Sequence, residues 1–215
     1  MKPSQPTTRP PWNKGRAQGQ RRAFTLKQIW VLEAHLLASE KWHDLALLAF
    51  GLDSLLRSSD LLKLRVKDVT YPNGQVRTLI PTQQQKTKRA VYPALTRAAQ
   101  DYLTHWITVS QKRPEDYLFT RSKHPHASAI CRSTYADVVK GWARFLHLSP
   151  EEFSTHSMRR SKAVHMYQAG EDVALISKLL GHKSIAVTIE YLGINQAQAE
   201  AATLRHPMMK GLPNG

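Results

Sequence analysis

The stretch from Thr155 to Tyr191, THSMRRSKAVHMYQAGEDVALISKLLGHKSIAVTIEY, reads as three short helices and narrows the possible folds more than any other part of the chain. On the first helix His156 and Arg159 are three residues apart, so they share one face. Gly170 ends that helix, as glycine readily does at a left-handed cap. ALISKLL supplies a second, apolar helix that closes at Gly181-His182. Ser184 is placed to cap a third, which carries Tyr191 about two turns in and nine residues after His182. Taken singly, a His or Arg on a helix is usually a surface or satisfied residue, and a Gly-His pair is only a helix end. Here all of these elements fall within one short stretch.

Charge says what such a chain meets. Over 215 residues, 31 Lys+Arg against 16 Asp+Glu give a net +15, which points to a polyanion, either nucleic acid or an anionic membrane surface. No apolar run approaches the length needed to span a bilayer, and the amino terminus has no signal-like apolar stretch, so nucleic acid is favoured. The single Cys131 cannot form an internal disulfide or, alone, a zinc site, which suits a reducing cytosol. The 10 histidines are scattered, with no HExxH and no paired CxxC.

The rest of the chain is read mainly as helix. Residues 1–23 carry Lys2, Arg9, Lys14, Arg16, Arg21 and Arg22, no acidic residue and several prolines, and read as a disordered basic arm. Thr25-Leu26-Lys27-Gln28 matches a capping box, and Ile29, Leu32 and Leu36 continue at helical spacing, so the folded domain is expected to begin there. Asp44 to Leu56 is apolar nearly all round, as a central buried helix would be. Asn73-Gly74 is a strong turn signal. Gln75 to Gln85 and Arg89 to Leu95 have strand character on either side of a turn at Lys86-Thr87-Lys88. Thr96 to Val109 and Ser133 to Leu146 read as amphipathic helices, the second with Trp142 and Phe145 expected in the core. Asn195 is placed to cap an alanine-rich helix within a tail, 195–215. The expected fold is mainly α with a small antiparallel β-sheet (α+β), and there are no internal repeats.

HxxR at His156 and Arg159, LLGH ending at His182, and a tyrosine nine positions later resemble the carboxyl half of the tyrosine recombinases, the phage integrase family. The resemblance covers about Phe24 to Gly193 and implies that family's catalytic-domain architecture over 24–194. Arg57, followed three residues later by Asp60 and then by leucines, resembles the family's first signature. The Gly-Leu that usually precedes this arginine stands earlier here, at Gly51-Leu52. An arginine between a buried helix and the next helix is normally avoided unless paired or functional. Asp60 is near enough to orient it, so the pair reads as structural, functional or both. The family places a lysine in a β-turn that reaches the active site; Lys86, followed by Thr, matches it best, with Lys88 as competitor.

The resemblance implies a site-specific recombinase or integrase that cuts and rejoins DNA through a 3′-phosphotyrosine intermediate. Its catalytic residues would be Arg57, Lys86, His156, Arg159, His182 and Tyr191, with no metal and no cofactor. Double-stranded DNA is the implied partner, with self-association from dimer to tetramer on it, in a prokaryotic cytoplasm and associated with the nucleoid. Most family members carry a separate amino-terminal domain. Here only the basic arm precedes the catalytic part, so a short single-domain member is expected. Arg9, Lys14, Arg16, Arg21 and Arg22 of the arm are candidate phosphate contacts. Two alternatives stand beside this reading. One is a type IB-like topoisomerase, which reseals without exchanging partners. The other is a catalytically silent DNA-binding regulator, which would not need to keep all six residues.

Overall fold

The computed structural model describes residues 20–86, 88–121 and 127–205. In chain order their helices are α1 (Leu26–Ala38), α2 (Trp42–Asp53), α3 (Ser58–Leu61), α4 (Val66–Val69), α5 (Arg97–Val109), α6 (Arg132–Phe145), α7 (Thr155–Gln168), α8 (Val173–Leu180), α9 (Ile185–Leu192) and α10 (Gln196–Arg205). A two-stranded antiparallel ladder, β1 (Thr82–Gln83) and β2 (Ala90–Val91), lies between α4 and α5. The fold is mainly helical with a small sheet, as the patterning implied. Among the described residues no helix is long and apolar enough to cross a membrane.

The apolar run forms the central helix α2, against which α1, α5 and α7 pack. Leu45, Ala46, Leu47, Phe50 and Gly51 are buried along it. A Cβ at Gly51 would stand 2.4 Å from Tyr135 Oη of α6, so the missing side chain is what lets these two elements approach. The helix stops at Asp53, short of the expected Leu56, and Leu55 then adopts φ 51° while buried. A left-handed leucine is an uncommon conformation. It swings the chain so that Arg57 becomes the N-cap residue of α3.

The two long strands expected over 75–85 and 89–95 shrink to two residues each. Pairing continues only as isolated bridges, Leu79 with Ala94 and Thr70 with Val76. Pro81 and Pro93 interrupt the ladder because neither has an N–H to donate; Pro93 contributes only its carbonyl, to Ile80 N at 2.9 Å. Trp142 is buried as expected, but Phe145, at the last turn of α6, stays 39% exposed and stacks on His35 with ring centroids 3.8 Å apart.

The starts of α1, α5, α7 and α8 follow their capping signals. Thr25 and Gln28 form the expected reciprocal box, and Thr96 Oγ1 accepts from Ala99 N. Ser154 and Ser157 form a second box at α7, and Asp172 accepts from Ala174 N and Leu175 N at α8. Ser184 occupies the N-cap position of α9, but its side chain makes no capping bond. The chain is already docked before Thr25. Phe24 is buried, stacks on Phe153 at 4.4 Å and donates its N–H to Ser161 Oγ at 2.8 Å. Arg22 N donates to Glu152 O at 2.9 Å.

Candidate active site

Three stretches far apart in sequence meet at one end of α7. The first is the turn around Arg57. Its guanidinium does not pair with Asp60; Nη1 instead donates to Gln84 Oε1 at 2.7 Å. Asp60, 4% exposed, accepts from Gln85 N at 3.1 Å and so fixes the start of the turn that bears Lys86. The Arg57–Asp60 pair considered from the sequence is therefore absent, and the carboxylate serves the neighbouring backbone.

The second stretch is the first turn of α7. Arg159 is 4% exposed and donates through Nη2 to the carbonyl of Leu180 at the end of α8. Burial draws its pKa down to about 10; Tyr191 and Asp60 oppose that shift, and Arg57 adds to it. His156, three residues earlier, has its pKa lowered by desolvation and then by Arg159, Arg132, Arg57 and Arg21.

The third stretch runs from the end of α8 through α9. Gly181 caps α8 at φ 62°. His182 Nδ1 lies 2.9 Å from Thr188 Oγ1, and Arg89 Nη1 donates to the His182 carbonyl at 3.1 Å. Desolvation, then Arg159 and Arg57, hold His182 at about 4, so the ring is neutral near pH 7. Tyr191 is half-buried, with its ring edge-on to His182 at 5.4 Å. Its hydroxyl reaches the His156 carbonyl at 3.5 Å. Burial pushes the phenol up to about 12, against the opposing pull of Arg159, Arg160 and Arg57.

Arg57, His156, Arg159, His182 and Tyr191 are thus brought together, whereas Lys86 stands exposed at the turn after β1. Among the described residues no hydrogen bond or ion pair joins its ammonium to the other five. Lys88, also exposed, closes the same turn through its N–H to Gln84 O at 2.8 Å. Of the arm, Arg9, Lys14 and Arg16 lie outside the described residues. Arg21 donates to the Glu151 carbonyl, and Arg22 pairs with Glu152 at 3.0 Å. Two neighbours escaped the sequence reading. Arg160 has its guanidinium 6.0 Å from the centre of the Tyr191 ring. Gln84, 1% exposed, bridges Arg57 and the end of α8. Arg160 was visible as the second arginine of the MRRS run. Nothing in the QQQ run distinguished Gln84.

A cluster of cations around a phenol, with two neutral imidazoles, is suited to an anionic phosphoryl group attacked by oxygen. Among the described residues no group of three or more His, Cys, Asp or Glu is placed to hold a metal ion. The phage integrase family model matches residues 23–198. The probable integrase/recombinase YoeC of Bacillus subtilis (strain 168) is 30% identical over 180 residues, 83% of this chain and 92% of that protein. The tyrosine recombinase XerD of Rickettsia conorii is 29% identical over 162 residues, 72% of this chain but 53% of that protein, so the chain spans about half of XerD. Among solved structures, the XerA recombinase superimposes with TM-score 0.70 at 18% identity, covering 94% of this chain and 68% of XerA. XerH bound to its difH substrate, a pre-cleavage complex, gives 0.67 at 21% identity, covering 86% of this chain and 55% of XerH. The chain belongs to the phage integrase family, that of the tyrosine recombinases.

Proposed function

We propose that the protein is a site-specific DNA recombinase that cuts and rejoins double-stranded DNA through a 3′-phosphotyrosine on Tyr191. The observation that carries this reading is the meeting of the Tyr191 hydroxyl with the first turn of α7, beside Arg159, Arg57 and His182. The phenol oxygen attacks the scissile phosphorus, the bond to the 5′ oxygen breaks, and the DNA 3′ phosphate remains on the tyrosine. Arg57 and Arg159 hold the non-bridging oxygens, a task that suits the planar, permanently charged guanidinium. Because these cations stabilise the developing charge, no metal is required, and because one phosphodiester replaces another, no nucleotide cofactor is required.

Protons move in both halves of the step. Without DNA the Tyr191 phenol is protonated at neutral pH, and His156 and His182 are neutral. A bound phosphate brings negative charge among them and favours the protonated form of each imidazole. The histidines thereby become better proton acceptors at the moment the phenol must lose its proton. Lys86, on its turn, delivers a proton to the departing 5′ oxygen. XerH is bound to its difH substrate, and the partner proposed here is duplex DNA, with self-association upon it and a place at the nucleoid.

The test is to express wild-type and Tyr191→Phe protein in cells, denature rapidly, and sequence any DNA that stays attached. The reading expects one recurrent sequence on the wild type and none on the variant. Attached DNA on both would move the nucleophile elsewhere. Relaxation of a plasmid carrying the recovered sequence, with no strand exchange between two such copies, would make the protein a topoisomerase instead.

A further inference from the structure

We infer that Gln84 is the positioning residue of this site: its buried amide fixes the Arg57 guanidinium and ties it, through the Leu180 carbonyl, to Arg159. The inference rests on the proposed reaction only for its kinetic consequence; the positioning itself is a property of the free protein.

Gln84 Oε1 accepts from Arg57 Nη1 at 2.7 Å, and its Nε2 donates to Leu180 O at 3.4 Å. That same carbonyl accepts from Arg159 Nη2. One backbone oxygen at the end of α8 therefore anchors both arginines, Arg159 directly and Arg57 by way of the amide. The side chain is wedged in place: a Cβ on Gly181 would stand 2.7 to 3.0 Å from its amide atoms. Gly181 thus has two reasons to be glycine, the left-handed cap and the room Gln84 needs. The backbone of Gln84 closes the adjoining turn as well, donating to Arg89 O at 2.9 Å and accepting from Lys88 N at 2.8 Å. A single residue so links the Lys86 turn, Arg57 and the end of α8.

The chemistry of the partner matters as much as its place. A carboxylate would hold Arg57 more strongly but would cancel the charge a phosphate must meet. An amide orients the guanidinium and leaves its charge whole, with the remaining N–H groups for an anion. Asp60, the carboxylate closest in sequence, is occupied with Gln85 N instead.

The test uses the full chain with ¹⁵N-labelled arginine and the variants Gln84→Met, Gln84→Asn and Gln84→Glu. Gln83→Met serves as control, since Gln83 is exposed and its amide donates to the Lys88 carbonyl. The Arg57 guanidinium signals, assigned by their loss in Arg57→Lys, are expected to show restricted rotation in wild type, in Gln84→Glu and in Gln83→Met. They should be averaged in Gln84→Met. If Gln84→Met does not fold, Gln84→Asn, one methylene too short to reach both partners, carries the same expectation. On the duplex recovered from Tyr191-trapped DNA, Gln84→Met should cleave about 10- to 100-fold more slowly, the range typical when a supporting residue behind a functional group is lost. With a methylphosphonate in place of the scissile phosphate, one anionic oxygen is gone and the wild-type-to-variant ratio should shrink; a merely structural defect would leave that ratio unchanged. Arg57 signals that stay restricted in Gln84→Met overturn the inference whether or not the wild type cleaves DNA. Signals that behave as expected in a wild type that forms no DNA adduct uphold the positioning and count against the recombinase reading.

Discussion

The described residues pack around two apolar centres of unequal weight, and the proposed chemistry straddles them. The larger is built from α1, α2, α5, α6 and the start of α7, with Leu47, Phe50, Trp106, Val139 and Met158 among its fully covered members. The smaller consists of Leu55, Ala163, Ile176, Leu180 and Leu192, with Tyr191 packed at its edge. Asp60 and Arg159 are buried beside the larger centre, in line with Leu61 and Met158. Tyr191 rides instead on α9, an eight-residue helix that leaves Ile185, Val187 and Ile189 exposed. Elements with few buried contacts open at lower free-energy cost than the core does. Arg57 and Arg159 issue from the heavy side but are both tied to the Leu180 carbonyl on the light side, so the end of α8 couples the arginines to the helices that carry the tyrosine.

The largest expected effects fall on the two arginines. Arg57→Ala and Arg159→Ala should each slow adduct formation on the order of 100- to 1000-fold, the usual consequence of losing a preorganised donor. Arg160→Ala should be milder, because Arg160 meets the tyrosine ring rather than the phosphate pocket. Lys86→Ala should also be slow, but it alone should recover when the leaving 5′ oxygen is replaced by sulfur, which needs no proton to depart. Recovery of an arginine variant on that substrate, or of Lys88→Ala in place of Lys86→Ala, would reassign the roles.

The contrast between the centres has its own test. Leu47→Ala should cost about 2–5 kcal/mol of global stability, as large-to-small changes in a packed core do. Leu192, 8% exposed in the smaller centre, should cost less when cut to alanine, and the damage should appear as faster amide exchange in α8 and α9 while α2 stays protected. Equal costs with uniform exchange would mean the two centres unfold as one.

A smaller effect is expected with pH. His182 is held at about 4, against 6.5 for an unperturbed histidine. Between those values the unfolded chain binds more protons, so this group's contribution is fully present above about 6.5, is lost as pH falls towards 4, and is constant below. His156 shifts in the same direction. Solvent reaches both rings, which keeps the effect small. Unfolding free energies of wild type and His182→Asn, compared from pH 7 to 4, should converge on acidification. A constant difference would show that His182 is not desolvated in the fold.

Much of this was legible in the sequence because the local signals agree with one another. The Thr25 box, the boundaries of α5 and α7, and the α8 stop at Gly181 all follow from capping chemistry, which acts within one turn. The HxxR, LLGH and tyrosine spacing located four of the groups that converge, and the Arg57 signature the fifth. What was missed depends on contacts between distant segments. The early end of α2 at a left-handed Leu55 follows no local rule, and the choice of Gln84 over Asp60 as the partner of Arg57 is set 27 residues away. The strands are shorter than their β-type residues imply because Pro81 and Pro93 have no N–H to donate to the ladder. The docking of Phe24 in front of the first helix is likewise a tertiary event, made by Ser161 and Phe153.

The central claim is that Tyr191 itself takes the DNA. The direct measurement is mass spectrometry of protein trapped on DNA, digested with nuclease and then with trypsin. The account predicts a nucleotide-bearing peptide whose fragments place the added phosphoryl group on Tyr191. The same group found on Tyr167, on any other tyrosine, or on a serine would contradict it.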